Sequence, residues 1–293
     1  MEENEWLAER FEQFRSHLRA VAYRMLGSLS EADDAVQEAW LRLSAADTSD
    51  VENLGGWLTT IVARVCLNML RSRTTRRENP LDPRLPDPII SPERGVDPEQ
   101  EVLLADSVGL ALLVVLEMLP PAERLAFVLH DMFAVPFDEI GPIVGRSPAA
   151  ARQLASRARR RVQGAAPRPR GDPVRQREVV DAFFAAARGG DFDALVAVLD
   201  PDAVLRSDGG ARAGASVVIR GPEAIARRAL SFAAPARLVR PALVNGATGV
   251  IVTVGGRAVS VMGFTVTGGR IAAIDVLTDR DRLSRLDLTV LDV

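Results

Sequence analysis

Residues 146–161 read RSPAAARQLASRARRR, six arginines and no acid in a chain whose formal net charge is −3. A guanidinium donates from a rigid fork that matches phosphate oxygens and the major-groove edge of guanine. The stretch is therefore equipped to recognise nucleic acid without making or breaking bonds. A second basic run begins at Arg64, Asn68 and Arg71, spaced i, i+4 and i+7 so that they share one helix face. Arg73, Arg76 and Arg77 follow at its end.

Groups for covalent or metal chemistry are sparse. Cys66 is the only cysteine, and His17 and His130 are the only histidines, so neither a disulfide nor a zinc cage is expected, and no cofactor. Cys66 and the two histidines read as packing or surface residues. Acid–base catalysis in the C-terminal part would need a carboxylate or histidine inside a cavity. No histidine follows His130, and Asp208 and Asp275 read as acids that end strands. The chain is accordingly expected not to be an enzyme.

Charge is distributed in blocks. Residues 1–52 hold 5 Arg against 12 acids (−7), 53–77 hold 5 Arg and no acid (+5), and 78–139 hold 3 Arg against 13 acids (−10). Residues 140–171 hold 8 Arg and no acid (+8), and 172–293 hold 15 Arg against 14 acids (+1). Two basic blocks separated by an acidic one form the footprint of two anionic contacts. With 47% hydrophobic and 26% charged residues the composition is that of an ordinary globular chain. No apolar run nears the roughly 20 residues that cross a bilayer. The acidic, amphipathic start MEENEWLAERFEQF is unlike a secretory signal. A cytoplasmic, non-membrane protein is expected.

The elements that must carry these residues follow from periodicity. A helix is predicted over about Glu5 to Met25, with Trp6, Phe11, Phe14, Leu18, Val21 and Ala22 inward. Ser30 to Asp33 resemble a capping box opening a second helix, whose buried stripe is Ala32, Val36, Trp40 and Leu43. Asp34, Gln37 and Glu38, with Arg42, fall on its solvent side. A third helix follows Gly55-Gly56, burying Trp57, Leu58, Ile61, Val62, Val65 and Met69. Residues 79–98 hold six prolines and read as an extended, semi-stiff linker. Helix resumes near Glu99 up to Pro120-Pro121, then over about Ala122 to Met132. Next comes a short helix with Phe137, Ile140 and Ile143, where Pro142 predicts a kink or early end. Gly145 supplies a turn, Ser147 an N-cap and Pro148 a first helical residue. The helix after them turns Ala151, Leu154, Ala155, Ala158 and Val162 inward and Ala149, Arg152, Gln153, Ser156 and Arg160 outward. This is helix-turn-helix geometry. Arg152, Gln153 and Ser156 are placed to meet bases and Arg159 to Arg161 to hold phosphates. After a second linker at 163–173 the pattern becomes α+β: helices broken at Gly189-Gly190, then strands AVLRSD, SVVIRG, ARLVRPALV, GVIVTV, RAVSVMGFTV and RIAAIDVL. Gly255-Gly256 and Gly268-Gly269 mark hairpins, and one helix spans about Glu223 to Phe232. Helices followed by a curved antiparallel sheet predict a cone-like domain.

DAVQEAWLRL (34–43) and GWLTTIVARVCLNMLRSR (56–73) resemble region 2 of bacterial extracytoplasmic-function sigma factors. Residues 119–162, from LPPAERLAF to ASRARRRV, resemble region 4. VNGATGVIV and GGRIAAIDVLTDRDRL are similar to the SnoaL-like, NTF2-type extension of the sigma factor J-like subgroup. The resemblance implies a multidomain chain of two all-α sigma domains and an α+β cone. Its parts are region 2 at 1–78, a proline-rich linker at 79–98, region 4 at 99–164, a linker at 165–173 and the extension at 174–293. It further implies that Asp34, Gln37, Glu38 and Arg42 dock on the polymerase β′ clamp helices. Arg64, Asn68, Arg71, Arg73, Arg76 and Arg77 would read the −10 element, and Arg152, Gln153, Ser156, Arg157 and Arg160 the −35 element. The subgroup's linker motif Trp-Leu-Pro-Glu-Pro reads here as Arg84-Leu85-Pro86-Asp87-Pro88. The implied partners are core RNA polymerase (β′ and β) and promoter DNA. The extension would contact the sigma domains and stand in for a separate anti-sigma protein.

Two other readings fit parts of the pattern. A helix-turn-helix regulator with a ligand-sensing C-terminal domain would use one basic helix as a dimer and leave the second without a purpose. A cyclase- or isomerase-like enzyme tethered to a DNA module would need turnover by residues 172–293 alone.

Overall fold

The computed structural model describes residues 2–46, 51, 53–75, 85–92, 109–165, 172–210, 216–233, 238–286 and 288. Arg76, Arg77, Arg84, the side chain of Trp6 and the helical pattern of 99–108 lie outside the described residues. The chain forms two compact units. The first is Met1–Glu78, Glu101–Asp106 and Val115–Ala165; the second is Asn79–Gln100, Ser107–Val114 and Ala166–Val293.

The first unit is helical. α1 (Glu2–Leu26), α2 (Leu29–Ser44) and α3 (Leu54–Thr75) pack around Phe11, Leu18, Val21, Met25, Val36, Leu43, Leu58, Val62 and Leu67. α2 starts one residue before the expected capping box. Its N-cap is Ser28, which makes no side-chain cap bond; the Ser28 hydroxyl lies 3.2 Å from that of Ser30 instead. Trp40 and Met69 are only half-buried, while Cys66, Leu67 and Leu70 are buried beside the expected inner residues of α3. α4 (Leu110–Glu117) is divided, Leu110–Val114 counting with the second unit and the rest with the first; α5 (Pro121–Phe127) follows and widens into a π turn over Val128–Met132. α6 (Phe137–Val144) runs through Pro142 without ending. Pro142 is exposed, so the hydrogen bond it cannot make falls on the solvent side of the helix. Gly145 closes α6 in the left-handed region (φ 70°). α7 (Pro148–Ala165) follows, capped by Ser147 Oγ accepting from Ala150 N at 3.3 Å.

The second unit is α+β. α8 (Pro173–Gly189) and α9 (Phe192–Val198) are each N-capped by an aspartate, Asp172 and Asp191. β2 (Leu199–Asp208), β3 (Val217–Arg220), α10 (Pro222–Phe232), β4 (Leu238–Val244), β5 (Ala247–Val254), β6 (Arg257–Thr267), β7 (Arg270–Leu277) and α11 (Arg280–Leu283) follow. The sheet order is β1-β4-β5-β6-β7-β2-β3, with β1 the short strand Ile90–Ser91. It is mixed rather than antiparallel throughout, because β2 runs parallel to β7. Alternation divides the strands between two cores. Val250, Val252, Phe264, Val266 and Ile274 meet Val180, Phe183 and Leu195 of the helices. Ile251, Val261, Leu277 and Val244 form the other face with Ile90, Leu110 and Leu283. Both predicted Gly-Gly hairpins hold positive φ, and Asn245-Gly246 (φ 51° and 72°) makes a third that sequence reading overlooked. The Asn-Gly dipeptide is its signal.

The proline-rich segment is the largest departure. Of it the structure describes residues 85–92, where Leu85 to Ser91 is buried apart from half-exposed Asp87 and belongs to the second unit. Ile90 and Ser91 pair antiparallel with Val244 and Leu243 and so extend the sheet by a strand.

Candidate nucleic-acid interface and linker clamp

α3 sets Arg64, Asn68 and Arg71 in a row because its opposite side is apolar, and all three are exposed. Arg73 leaves that row. It ion-pairs with Glu31 and donates to the Leu26 carbonyl at 3.3 and 3.4 Å, capping the C-terminus of α1. On α2, Asp34 and Gln37 are exposed, and half-buried Glu38 pairs with exposed Arg42 at 2.9 Å. Leu41, 55% exposed, lies on the same stretch of helix. Asp33 is drawn to Arg19 of α1 at 2.6 Å.

α7 buries Ala151, Ala155, Ala158 and Val162, with Leu154 half-buried. Arg152, Gln153, Arg157 and Arg160 are exposed and Ser156 is half-buried. The Arg152 guanidinium lies 5.3 Å from the centre of the Phe137 ring. That ring stacks at 3.8 Å on His130, whose Nδ1 lies 3.1 Å from the Val135 carbonyl. The arginines expected to hold phosphates divide. Arg159 pairs with Asp131 at 2.5 Å and Arg161 with Glu123 at 2.9 Å. Arg157 donates its Nε to the other Glu123 oxygen at 3.0 Å. Neither acid was singled out in the sequence. Glu123 was legible only as the single acid, next to Arg124, of the mostly apolar run LPPAERLAF.

Between the helices of this unit, Arg124 is buried and donates to the Met25 carbonyl (2.8 Å), the Glu117 carbonyl (2.7 Å) and the Glu117 carboxylate (3.1 Å). His17 sits 3.3 Å from the Thr59 hydroxyl with its ring edge-on to Phe133. Burial holds its imidazole below the usual histidine range, and Arg24 adds a smaller push the same way.

In the second unit the linker motif is grasped by one arginine. Arg282 donates Nε to Asp87 at 2.8 Å, Nη1 to Asp208 at 2.6 Å and Nη2 to the Leu85 carbonyl at 2.6 Å. Asp208 also accepts from Leu85 N at 2.9 Å, Gly210 N at 3.0 Å and Ser216 Oγ at 3.4 Å. It does close β2, but as the floor of this clamp. Leu85, Pro86 and Pro88 are buried and Asp87 is half-buried. Asn245 completes the grip from the β4–β5 turn. Its Oδ1 accepts from Ile89 N at 3.3 Å, and its N donates to the Ile89 carbonyl at 2.8 Å. Asp279 places Arg282 by capping α11. Gly210, at φ +83°, leaves room for it: a Cβ there would fall 2.0 Å from an Asp279 carboxylate oxygen.

Asp275 does not end its strand. It lies inside β7, buried, and ion-pairs with Arg206 at 3.1 Å. Burial pushes its carboxyl above the usual range, against the opposing pull of Arg206. Among the described residues no group of acids, histidines and cysteine has the arrangement of a metal site, and no helix is long and apolar enough to cross a membrane.

Helical bundle, helix-turn-helix and two exposed basic helix faces are those of a sigma-type specificity subunit. Models of sigma-70 region 2 and sigma-70 region 4 match residues 10–76 and 109–162. The ECF RNA polymerase sigma factor SigJ of Mycobacterium tuberculosis is 44% identical over 219 residues, 74% of this chain and 70% of its own. The probable ECF RNA polymerase sigma factor SigI of the same organism is 36% identical over 273 residues, 93% of each chain. The crystal structure of SigJ superposes with a TM-score of 0.75 at 36% identity, covering 96% of this chain and 99% of that one. The chain belongs to the extracytoplasmic-function RNA polymerase sigma factors. Its sigma domains imply binding to core RNA polymerase and promoter DNA.

Proposed function

We propose that this cytoplasmic sigma factor reads its promoter with the exposed faces of α3 and α7, and that its own C-terminal domain tunes initiation by holding the linker between them. Asp34, Gln37, Glu38 and Arg42 dock on the β′ clamp helices, with region 4 reaching the β subunit. Arg64, Asn68 and Arg71, with Arg76 and Arg77 further along the sequence, serve the −10 element, while Arg73 is held by Glu31 and the Leu26 carbonyl. Arg152, Gln153, Ser156, Arg157 and Arg160 serve the −35 element. The extension acts in place of a separate anti-sigma protein and without catalysis; the pairing of Asp275 with Arg206 favours a structural carboxylate over an acid–base group. The clamp of Arg282 on Asp87, Asp208 and Leu85 is the observation that carries this reading. A captured linker has less slack to let the two DNA-reading regions reach their elements at varied separations.

Run-off transcription with core polymerase, on promoters differing in spacer length, tests it. Full-length protein should favour one spacer, while Arg282→Ala and a truncation after Arg170 accept a wider range. Unchanged output and spacer preference in both variants would remove the regulatory role, and no transcription by any form would remove the promoter-reading role.

A further inference from the structure

We infer that Glu123, outside the reading helix, is a positioning residue for −35 recognition: it orients Arg157 so that its outer edge is presented to the DNA. The inference rests on the reading of α7 as the −35 helix.

Glu123 sits in the first turn of α5, against which α7 packs, and its side chain is 8% exposed. Both carboxylate oxygens face α7. Oε1 accepts from Arg157 Nε at 3.0 Å and Oε2 lies 2.9 Å from Arg161 Nη1, one helical turn further on. The two arginines are held differently. Arg157 commits its inner Nε, so its terminal nitrogens form the leading edge of a side chain that remains 47% exposed. That edge is the bidentate one, suited to guanine O6 and N7 or to a phosphate. Arg161 instead brings a terminal nitrogen to Glu123 as an ion pair.

A carboxylate is a poor choice for core packing here. Taking it out of water is costly, and an apolar residue of similar volume generally does as well or better for stability. What it supplies is order. A free arginine side chain loses rotamer freedom on docking, and one already anchored at Nε has less to lose. Glu123 also neutralises part of the α7 charge that would otherwise attract any phosphate backbone. It therefore raises selectivity while lowering indiscriminate attraction.

That pairing of effects separates positioning from ordinary structural support. Glu123→Gln, Arg157→Ala and the double variant are made in the full-length chain. With core polymerase each is assayed by competitive run-off on promoters carrying single −35 substitutions; the chain alone is titrated with random duplex. Glu123→Gln should reduce discrimination at the bases sensitive to Arg157→Ala by about fivefold or more, while affinity for random duplex holds or rises. In the Arg157→Ala background it should cost no further discrimination. A fold defect would lower both quantities. Should Glu123→Gln melt below the assay temperature, Glu123→Asp, which keeps the charge but shortens the reach, takes its place in the same comparison. Full discrimination in the Glu123 variant beside lost discrimination in Arg157→Ala would overturn the positioning role alone. Full discrimination in Arg157→Ala would overturn the −35 reading of that residue and the inference with it.

Discussion

Single side chains fasten the helices of the first unit together, and two of them make sharp predictions. Burial first and Arg24 second lower the proton affinity of His17 in the folded chain. The unfolded chain retains the usual value of about 6.5. Folded pKa below unfolded pKa means that the stabilisation is complete above about pH 6.5 and is lost as pH falls below it. Melting temperatures of wild type and His17→Gln should therefore run parallel above pH 7. Below pH 6.5 the wild type should fall faster; parallel curves down to pH 5 would show that His17 does not couple folding to protons. Arg124 is the second case. Its replacement by Met strands the Met25 and Glu117 carbonyls and leaves Glu117 without its ion pair. A loss of about 2–3 kcal/mol is expected in urea unfolding. A loss below about 0.5 kcal/mol would mean that water replaces those bonds freely.

At the scale of elements, the linker is held by a strand, a turn and a short helix that converge on it. β1 adds to β4, Asn245 brackets Ile89, and the Asp279 cap of α11 delivers Arg282. Gly210 is the weak point of this arrangement. Alanine there must adopt φ +83° and displace Asp279. The backbone strain alone is worth about 1–2 kcal/mol. Gly210→Ala should loosen α11 and release the linker while leaving the helix-side core intact. Hydrogen exchange at the Leu85 and Ile89 amides should accelerate about tenfold or more, with β6 unaffected. Uniform acceleration across the sheet would indicate a folding defect, and none at Leu85 would mean that Arg282 does not depend on Asp279 for its placement.

For the whole molecule, charge placement matters more than net charge. Three of the α7 arginines, Arg157, Arg159 and Arg161, are ion-paired with acids of α5 and the π turn, which weakens the field that the helix offers to any duplex. Together with the acidic block at 78–139, this predicts that the isolated full-length chain binds random duplex no tighter than about micromolar at physiological salt. Tight, salt-sensitive binding by the free chain would contradict that balance.

The sequence alone determined what depends on near neighbours. Helix faces, the Ser147-Pro148 start of α7, the Gly145 turn, two of the hairpins and the two basic blocks all follow from residues within a turn or two of one another, and periodicity records them. Arg64, Asn68, Arg71 and Arg152 stand where those local rules put them. Tertiary structure decided which arginines remain outward and which are turned back. It brought Glu31 to Arg73 and Glu123 to Arg157 and Arg161. It also made the linker part of the sheet, because Arg282 meets Asp87 across 195 residues of chain. Contacts at such separation leave no period to read, since a buried ion pair is specified only when the fold brings both of its halves out of water together.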